Sequence, residues 1–313
     1  MSTLTPPQWD ERLSQFIDVR QVGPCEFQSV SETHWIPVFG RSVFGGTLIA
    51  QSMEAAYKTV DEDMELHGKF LRGADAQQYI DYHVTKVRDG RSFSMRRVDA
   101  MQGTTLLFMA TLSFQAPEWE QPQFFAPPPE MCREGSFELM EDMPSGHQNV
   151  PSKVLLPDMS LSGTQRFQYA LTHAPCTDHH YDAMVQWTYT QEHVLPVEFR
   201  PAVPTIFGND GQVQFGSKLA YWLRARGTSP GPANRQRAIL GFHIDQFMLG
   251  SIQANVRENP VTMMTSLDHT MWFYNHFSMS EWLLMVVENQ AMTRSIAVLT
   301  HLPTYEEFHV CML

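Results

Sequence analysis

The chain has 313 residues, 43% hydrophobic and 18% charged, which supports a sizeable core and excludes a globally disordered chain. Twenty-two basic residues stand against thirty-four acidic ones. The net charge of -12 argues against nucleic acid or a generally anionic membrane surface as partner, while leaving room for a local basic cluster that holds an anionic substrate.

The N-terminus has neither the basic start nor the apolar stretch of a secretory signal, and no apolar run reaches the roughly 18 residues of a membrane span. Four cysteines, Cys25, Cys132, Cys176 and Cys311, form no CxxC pair. They read as reduced thiols of an intracellular protein, with no zinc site. His179-His180 has no partners at ligand spacing, so no metal is expected.

A short helix is expected over residues 9–16, followed by strands around 25–30 and 33–38. Gly45-Gly46 then opens a helix in which Leu48, Ile49, Met53, Ala56 and Val60 follow the helical period. The glycine pair serves either as a tight turn or as a place where backbone approaches a ligand closely; amides at a helix start favour a negative atom. Residues 67–116 read as a β-meander with strands at 79–86, 92–101 and 105–115, joined at Asp89-Gly90 and Gln102-Gly103. A long helix followed by antiparallel strands predicts an α+β layer.

Residues 117–153 are rich in proline and acids and read as a linker between an N-terminal unit, 1–116, and a C-terminal unit, 154–313. The second unit repeats the order of the first: strands at 197–201 and 219–226, an apolar helix at 238–249, strands at 262–273 and 282–288. At an ungapped offset of 202 residues His67 meets His269, Phe70 meets Trp272, Ile80 meets Trp282 and Val84 meets Val286. An internal duplication follows. After Val286 only residues 295–300 look strand-like, so the second unit is expected to lack at least one final strand and to leave a sheet edge unpaired.

Asp245 sits inside the apolar run Ile239-Leu240-Gly241-Phe242-His243-Ile244-Asp245-Gln246-Phe247, where a carboxylate is costly unless paired or used. By itself it reads more often as a solvent-facing helix residue than as a site residue. About twenty residues on, Ser266-Leu267-Asp268-His269 places a hydroxyl, an acid and a histidine ahead of an aromatic strand. Asp268 and His269 could form a polar pair, but a structural hydrogen bond at the seam between units is the favoured reading. Arg88, Arg91, Arg96 and Arg97 make a local basic set that could meet phosphates, or simply a solvated strand face. No Gly-x-Ser-x-Gly elbow occurs, which argues against a serine hydrolase.

Val43-Phe44-Gly45-Gly46, Phe70-Leu71-Arg72-Gly73-Ala74-Asp75, Val87-Arg88-Asp89-Gly90-Arg91-Ser92-Phe93, Arg96-Arg97-Val98 and Leu267-Asp268-His269-Thr270-Met271-Trp272-Phe273 together resemble the acyl-CoA thioesterase II family, which includes bacterial and peroxisomal enzymes. The resemblance implies a double hot-dog fold, two tandem units each wrapping a sheet around a long helix. It implies hydrolysis of fatty acyl-CoA, with no cofactor and with oligomeric state left open. The family's water-activating Asp falls on Asp245 and its hydroxyl residue on Ser266. Gly45, Gly46, Arg88, Arg91, Asp268 and His269 are the candidate substrate contacts. The family's third residue, a Gln in a final Ser/Thr-x-Gln-Glu-Gly strand, has no match, and Gln290 lies on a different strand. The pattern departs from about residue 291, which suggests an altered C-terminus. The competing expectation is therefore a non-catalytic acyl-CoA-binding or scaffold form. A peroxisomal compartment is implied by the family, although Cys311-Met312-Leu313 is not a Ser-Lys-Leu address; the cytoplasm is the alternative.

Overall fold

The computed structural model describes residues 4–38, 40–60, 63–116, 130–132, 153–158, 160–162, 165, 186, 189–202, 206–207, 213–214, 218–227, 231–255, 265–273, 276–293, 296–303 and 310–311. Helix α1 (Pro6–Ile17) begins where the Thr5 amide donates to Gln8 Oε1 at 2.8 Å. It buries Trp9, Leu13, Phe16 and Ile17, a stripe at helical spacing. Strands β1 (Val19–Gly23) and β2 (Glu26–Ser29) follow as a hairpin. The strand expected at 33–38 does not form. That segment is irregular and takes isolated bonds instead, His34 N–H to Ala76 and the Trp35 carbonyl from Phe44.

Helix α2 (Gly45–Tyr57) is buried at every position from Gly46 to Tyr57. A helix buried on all sides must be wrapped, and the wrapping is done by β3 (Asp63–Phe70), β4 (Asp81–Asp89), β5 (Phe93–Gln102) and β6 (Thr105–Gln115). Along β5 the buried residues Ser94, Arg96, Val98 and Ala100 alternate with more accessible ones, the period of a half-buried strand. Tyr82 on β4 donates to Gln51 on α2 at 2.7 Å, and Gln51 donates to the Phe16 carbonyl at 3.1 Å, so one satisfied polar chain ties helix, sheet and α1 together.

The second half carries β9 (Val197–Pro201), β12 (Lys218–Ala225), helix α3 (Ala233–Asn255), β13 (Asp268–Phe273), β14 (Leu283–Thr293) and β15 (Ile296–Pro303). Short pairs add β7 (Glu130–Cys132) with β8 (Lys153–Leu155), and β10 (Ile206–Phe207) with β11 (Val213–Gln214). The rest of the expected linker lies outside the described residues, as do residues 262–264 of the expected strand and His179-His180. With a last strand β16 (Val310–Cys311), one sheet runs β1-β2-β4-β5-β6-β3-β13-β16 and another β15-β14-β12-β9. At the end of the second unit β16 pairs with Trp272 and Phe273 of β13, in the place β6 holds beside β3, and among the described residues β15 stays at the edge of its own sheet.

The seam between the halves is the antiparallel pair β3–β13, with His67 opposite Thr270 and Gly68 opposite His269. This register corrects the offset of 202. Paired residues share a face and neighbours alternate, so His67 and His269 point to opposite faces: His67 is exposed and packs edge-on against Trp272 at 5.7 Å, whereas His269 is fully buried. An offset of 203 puts like faces together, matching Leu66 with His269, Phe70 with Phe273, Tyr82 with Met285 and Val84 with Val287. One residue of slip in an ungapped comparison was enough to exchange the faces.

Helices α2 and α3 lie side by side under the sheets. Their contact is backbone-close: a Cβ on Gly46 would stand 2.2 Å from the Phe242 carbonyl oxygen, and one on Gly241 2.8 Å from Met53 Sδ. Near the other end of α2, Glu54 is buried, and its Oε1 has no hydrogen-bond partner among the described residues. Burial first, and then Asp18, raise its carboxyl to about 6 against the pull of Arg235 and Lys58. A pKa raised on folding contributes stability below the unfolded value, and that contribution is lost as pH rises through the folded one. Glu54→Gln is therefore expected to stabilise the protein at pH 7.5 by up to about 2 kcal/mol, and to do little at pH 4. Urea unfolding at the two pH values measures the difference; equal effects at both would contradict this account.

Candidate functional site

Four elements converge on Asp245. It projects from α3 and is 7% exposed. From the approach to β13, the Ser266 hydroxyl donates to Asp245 Oδ1 at 2.7 Å. From β13 itself, His269 Nε2 donates to the same oxygen at 2.9 Å, because a carboxylate only accepts. From α2, the Gly46 amide bonds the carboxylate. The start of α2 has no side-chain cap from its own N-cap residue, Phe44. Asp245 thus serves from the neighbouring helix as acceptor for an amide that would otherwise be orphaned, where the helix dipole favours negative charge. Gly45 is required by this approach, since a Cβ there would lie 2.6 Å from Asp245 Oδ2 and 3.0 Å from the Phe70 ring.

Phe70, at the end of β3, closes the site from the first unit and meets the His269 ring edge-on at 5.6 Å. Sequence reasoning assigned it no role; its signal was its place opposite the Ser266 stretch, visible only once β3 and β13 pair. Burial pushes the Asp245 carboxyl upward. The His269 imidazole, the Ser266 hydroxyl and the Gly46 amide together outweigh that and hold it below the ordinary aspartate value. The result is an ionised carboxylate in a nearly closed apolar setting. Oδ1 takes two donors, and Oδ2 faces the glycine pair. Such a group can accept a proton from a small polar molecule admitted beside it.

Gly45, Gly46, Asp245, Ser266 and His269 are thus brought together. Asp268 is not: it faces away from its neighbour His269, lies 58% exposed and bonds Lys69 Nζ across the seam at 2.6 Å. An Asp268–His269 pair does not form, because consecutive strand residues point to opposite faces; Asp268 makes a structural bond across the seam instead, the reading the sequence favoured. An exposed ion pair of this kind adds little stability. Arg88 and Arg91 are exposed near the β4–β5 turn. The register runs Arg88–Met95–Ser113–Glu65, whereas the site lies at the Phe70 end of β3. Five residues along the strands and three strands across separate Arg88 from the site by about 20 Å. Arg96 is buried and spends its guanidinium on Thr59, Asp89 and the Arg88 and Met95 carbonyls, clamping the end of α2 to the sheet.

Two family models match, the acyl-CoA thioesterase N-terminal domain over residues 33–115 and acyl-CoA thioesterase over residues 192–298. Together they cover more than half of the chain, and the second spans Asp245, Ser266 and His269. This chain belongs to the type II acyl-CoA thioesterase family. Human acyl-coenzyme A thioesterase 8 is 28% identical over 266 residues, covering 82% of this chain and 72% of that protein. The peroxisomal acyl-coenzyme A thioester hydrolase 1 of Saccharomyces cerevisiae is 24% identical, covering 81% and 78%. Among solved structures, the tesB protein of Mycobacterium avium subs paratuberculosis superposes with a TM-score of 0.65 at 19% identity, covering 97% of this chain and 96% of that one. The acyl-CoA thioesterase II TesB2 of Mycobacterium marinum gives 0.61 at 22%, covering 96% and 94%. The fold of this type II thioesterase chain is the α+β double hot-dog.

Proposed function

We propose that this chain hydrolyses fatty acyl-CoA to free fatty acid and CoA, with Asp245 as general base toward water. One observation carries the reading: in a chain of this family, a buried and ionised carboxylate is fixed at a helix start by donors from both halves. A thioester carbonyl is electrophilic enough for an oriented water to attack directly. Asp245 takes a proton from the water as its oxygen bonds the carbonyl carbon. The adjacent Gly45 amide, at the positive end of α2, is the donor proposed for the oxyanion. Collapse breaks the carbon–sulfur bond, and the proton held by Asp245 passes to the CoA sulfur. Ser266 donates to Asp245, and its oxygen lone pairs remain available to accept from the same water.

Thiol release from acyl-CoA esters of increasing chain length tests the activity. Ser266→Ala is expected to lower kcat by about 10–100-fold, the worth of one hydrogen bond to a charged group, and Ser266→Thr to keep most of the activity. Tight binding of every ester with no thiol release would instead favour the non-catalytic binding form. The compartment proposed is the peroxisome, named for the yeast relative; a diffuse cytosolic pattern of the tagged chain would contradict it.

A further inference from the structure

We infer that His269 is a positioning residue that keeps Asp245 ionised and decides which of its oxygens receives the proton. This rests on the general-base reading above. The His269 ring is fully buried on the inner face of β13. Its Nε2 meets Asp245 Oδ1 at 2.9 Å, and its Nδ1 has no hydrogen-bond partner among the described residues. The ring's only described polar link is therefore Asp245. A buried imidazole that served packing alone would be better replaced by an apolar side chain, because leaving a polar atom unsatisfied in the interior is unfavourable.

The bond also divides the carboxylate. An oxygen of this kind has two in-plane lone pairs, and Oδ1 meets both Ser266 and His269. Oδ2 is left toward Gly45, on the side where α2 begins. His269 thus occupies the position from which water would otherwise approach Oδ1, and directs proton acceptance to Oδ2.

Beyond the Ser266 hydroxyl and the Gly46 amide, no further donor to Asp245 is described. Helix α2 brings only the backbone of Gly45 and Gly46, and β3 brings Phe70. Lys69 and Asp268 lie on the outer face of the seam and bond one another. His243 is two residues earlier on α3, about 200° around the helix. With the His269 donor gone, the Ser266 hydroxyl and the Gly46 amide remain, but the balance against burial weakens and the carboxyl moves up.

The test is the pH dependence of kcat/KM in the full chain, read for His269→Leu and His269→Gln beside the wild type. The leucine removes the donor; the glutamine amide returns one near the position of Nε2. His269→Leu is expected to move the acid limb upward by at least about one pH unit with kcat reduced, and His269→Gln to return the limb toward its wild-type place. Carboxyl 13C NMR, assigned with Asp245→Asn, follows the same titration where turnover is too slow. His269→Asn, whose shorter amide cannot reach Oδ1, replaces the leucine variant if that one does not fold. An unmoved Asp245 titration in a folded variant without the donor overturns the inference, whatever its kcat. Wild-type protein that releases no thiol would count against the hydrolase reading instead, and the NMR titration still decides the role of His269.

Discussion

Asp245→Asn is expected to lower kcat by about 10²–10⁴-fold, the usual worth of a positioned general base. Asparagine keeps the shape of the side chain, and its carbonyl oxygen can still accept from Ser266 and His269, so the surroundings of Oδ1 persist. What changes is the side toward the glycine pair, where an NH₂ group replaces the oxygen that would take the proton. Thiol release measures the loss. Calorimetric binding of a non-hydrolysable thioether analogue separates it from a binding defect, and the expected Kd is near that of the wild type. An asparagine variant with undiminished turnover would remove Asp245 from the chemistry.

Gly46→Ala is expected to produce the largest loss of stability among single substitutions near the site, about 1–3 kcal/mol, together with a loss of turnover. The added methyl would stand 2.2 Å from the carbonyl oxygen of Phe242 and 2.4 Å from the ring of Phe44. A ring edge can swing aside, but the carbonyl belongs to the backbone of α3 and cannot. The two helices must separate by about an ångström or more, and the Gly46 amide then loses the Asp245 carboxylate. Gly45→Ala is the contrast: its methyl would press on the Asp245 carboxylate itself, 2.6 Å away, and on the Phe70 ring. It should therefore cost activity out of proportion to stability. Thermal unfolding beside thiol release distinguishes the two; a Gly46→Ala protein as stable as the wild type would contradict the close helix contact.

Much of the site was legible in the residues because its members break local rules. Asp245 interrupts an apolar helix, Gly45-Gly46 opens one, and Ser266 and His269 fall within four residues of each other. Those departures mark where tertiary structure must supply partners. What was not legible is what depends on pairing across the chain. The arginines near the β4–β5 turn look like a phosphate cluster in one dimension, yet register places Arg88 and Arg91 at the far end of the sheet and turns Arg96 inward. His67 and His269 look equivalent in an ungapped alignment, yet alternation puts them on opposite faces. Asp268, the acid nearest to His269 in sequence, faces Lys69 instead. The role of Val310–Cys311 beside β13 also escaped reading, since two residues carry no period.

Direct attack by water at Asp245, without a covalent acyl-enzyme, is the centre of the account. A single-turnover experiment with excess wild-type protein and an acyl-labelled CoA ester tests it most directly. Free acid and CoA should appear together at one rate, with no label retained on the protein after rapid acid quench. CoA released ahead of the acid, with label on the chain, would contradict the mechanism, and the absence of both products would contradict hydrolysis itself.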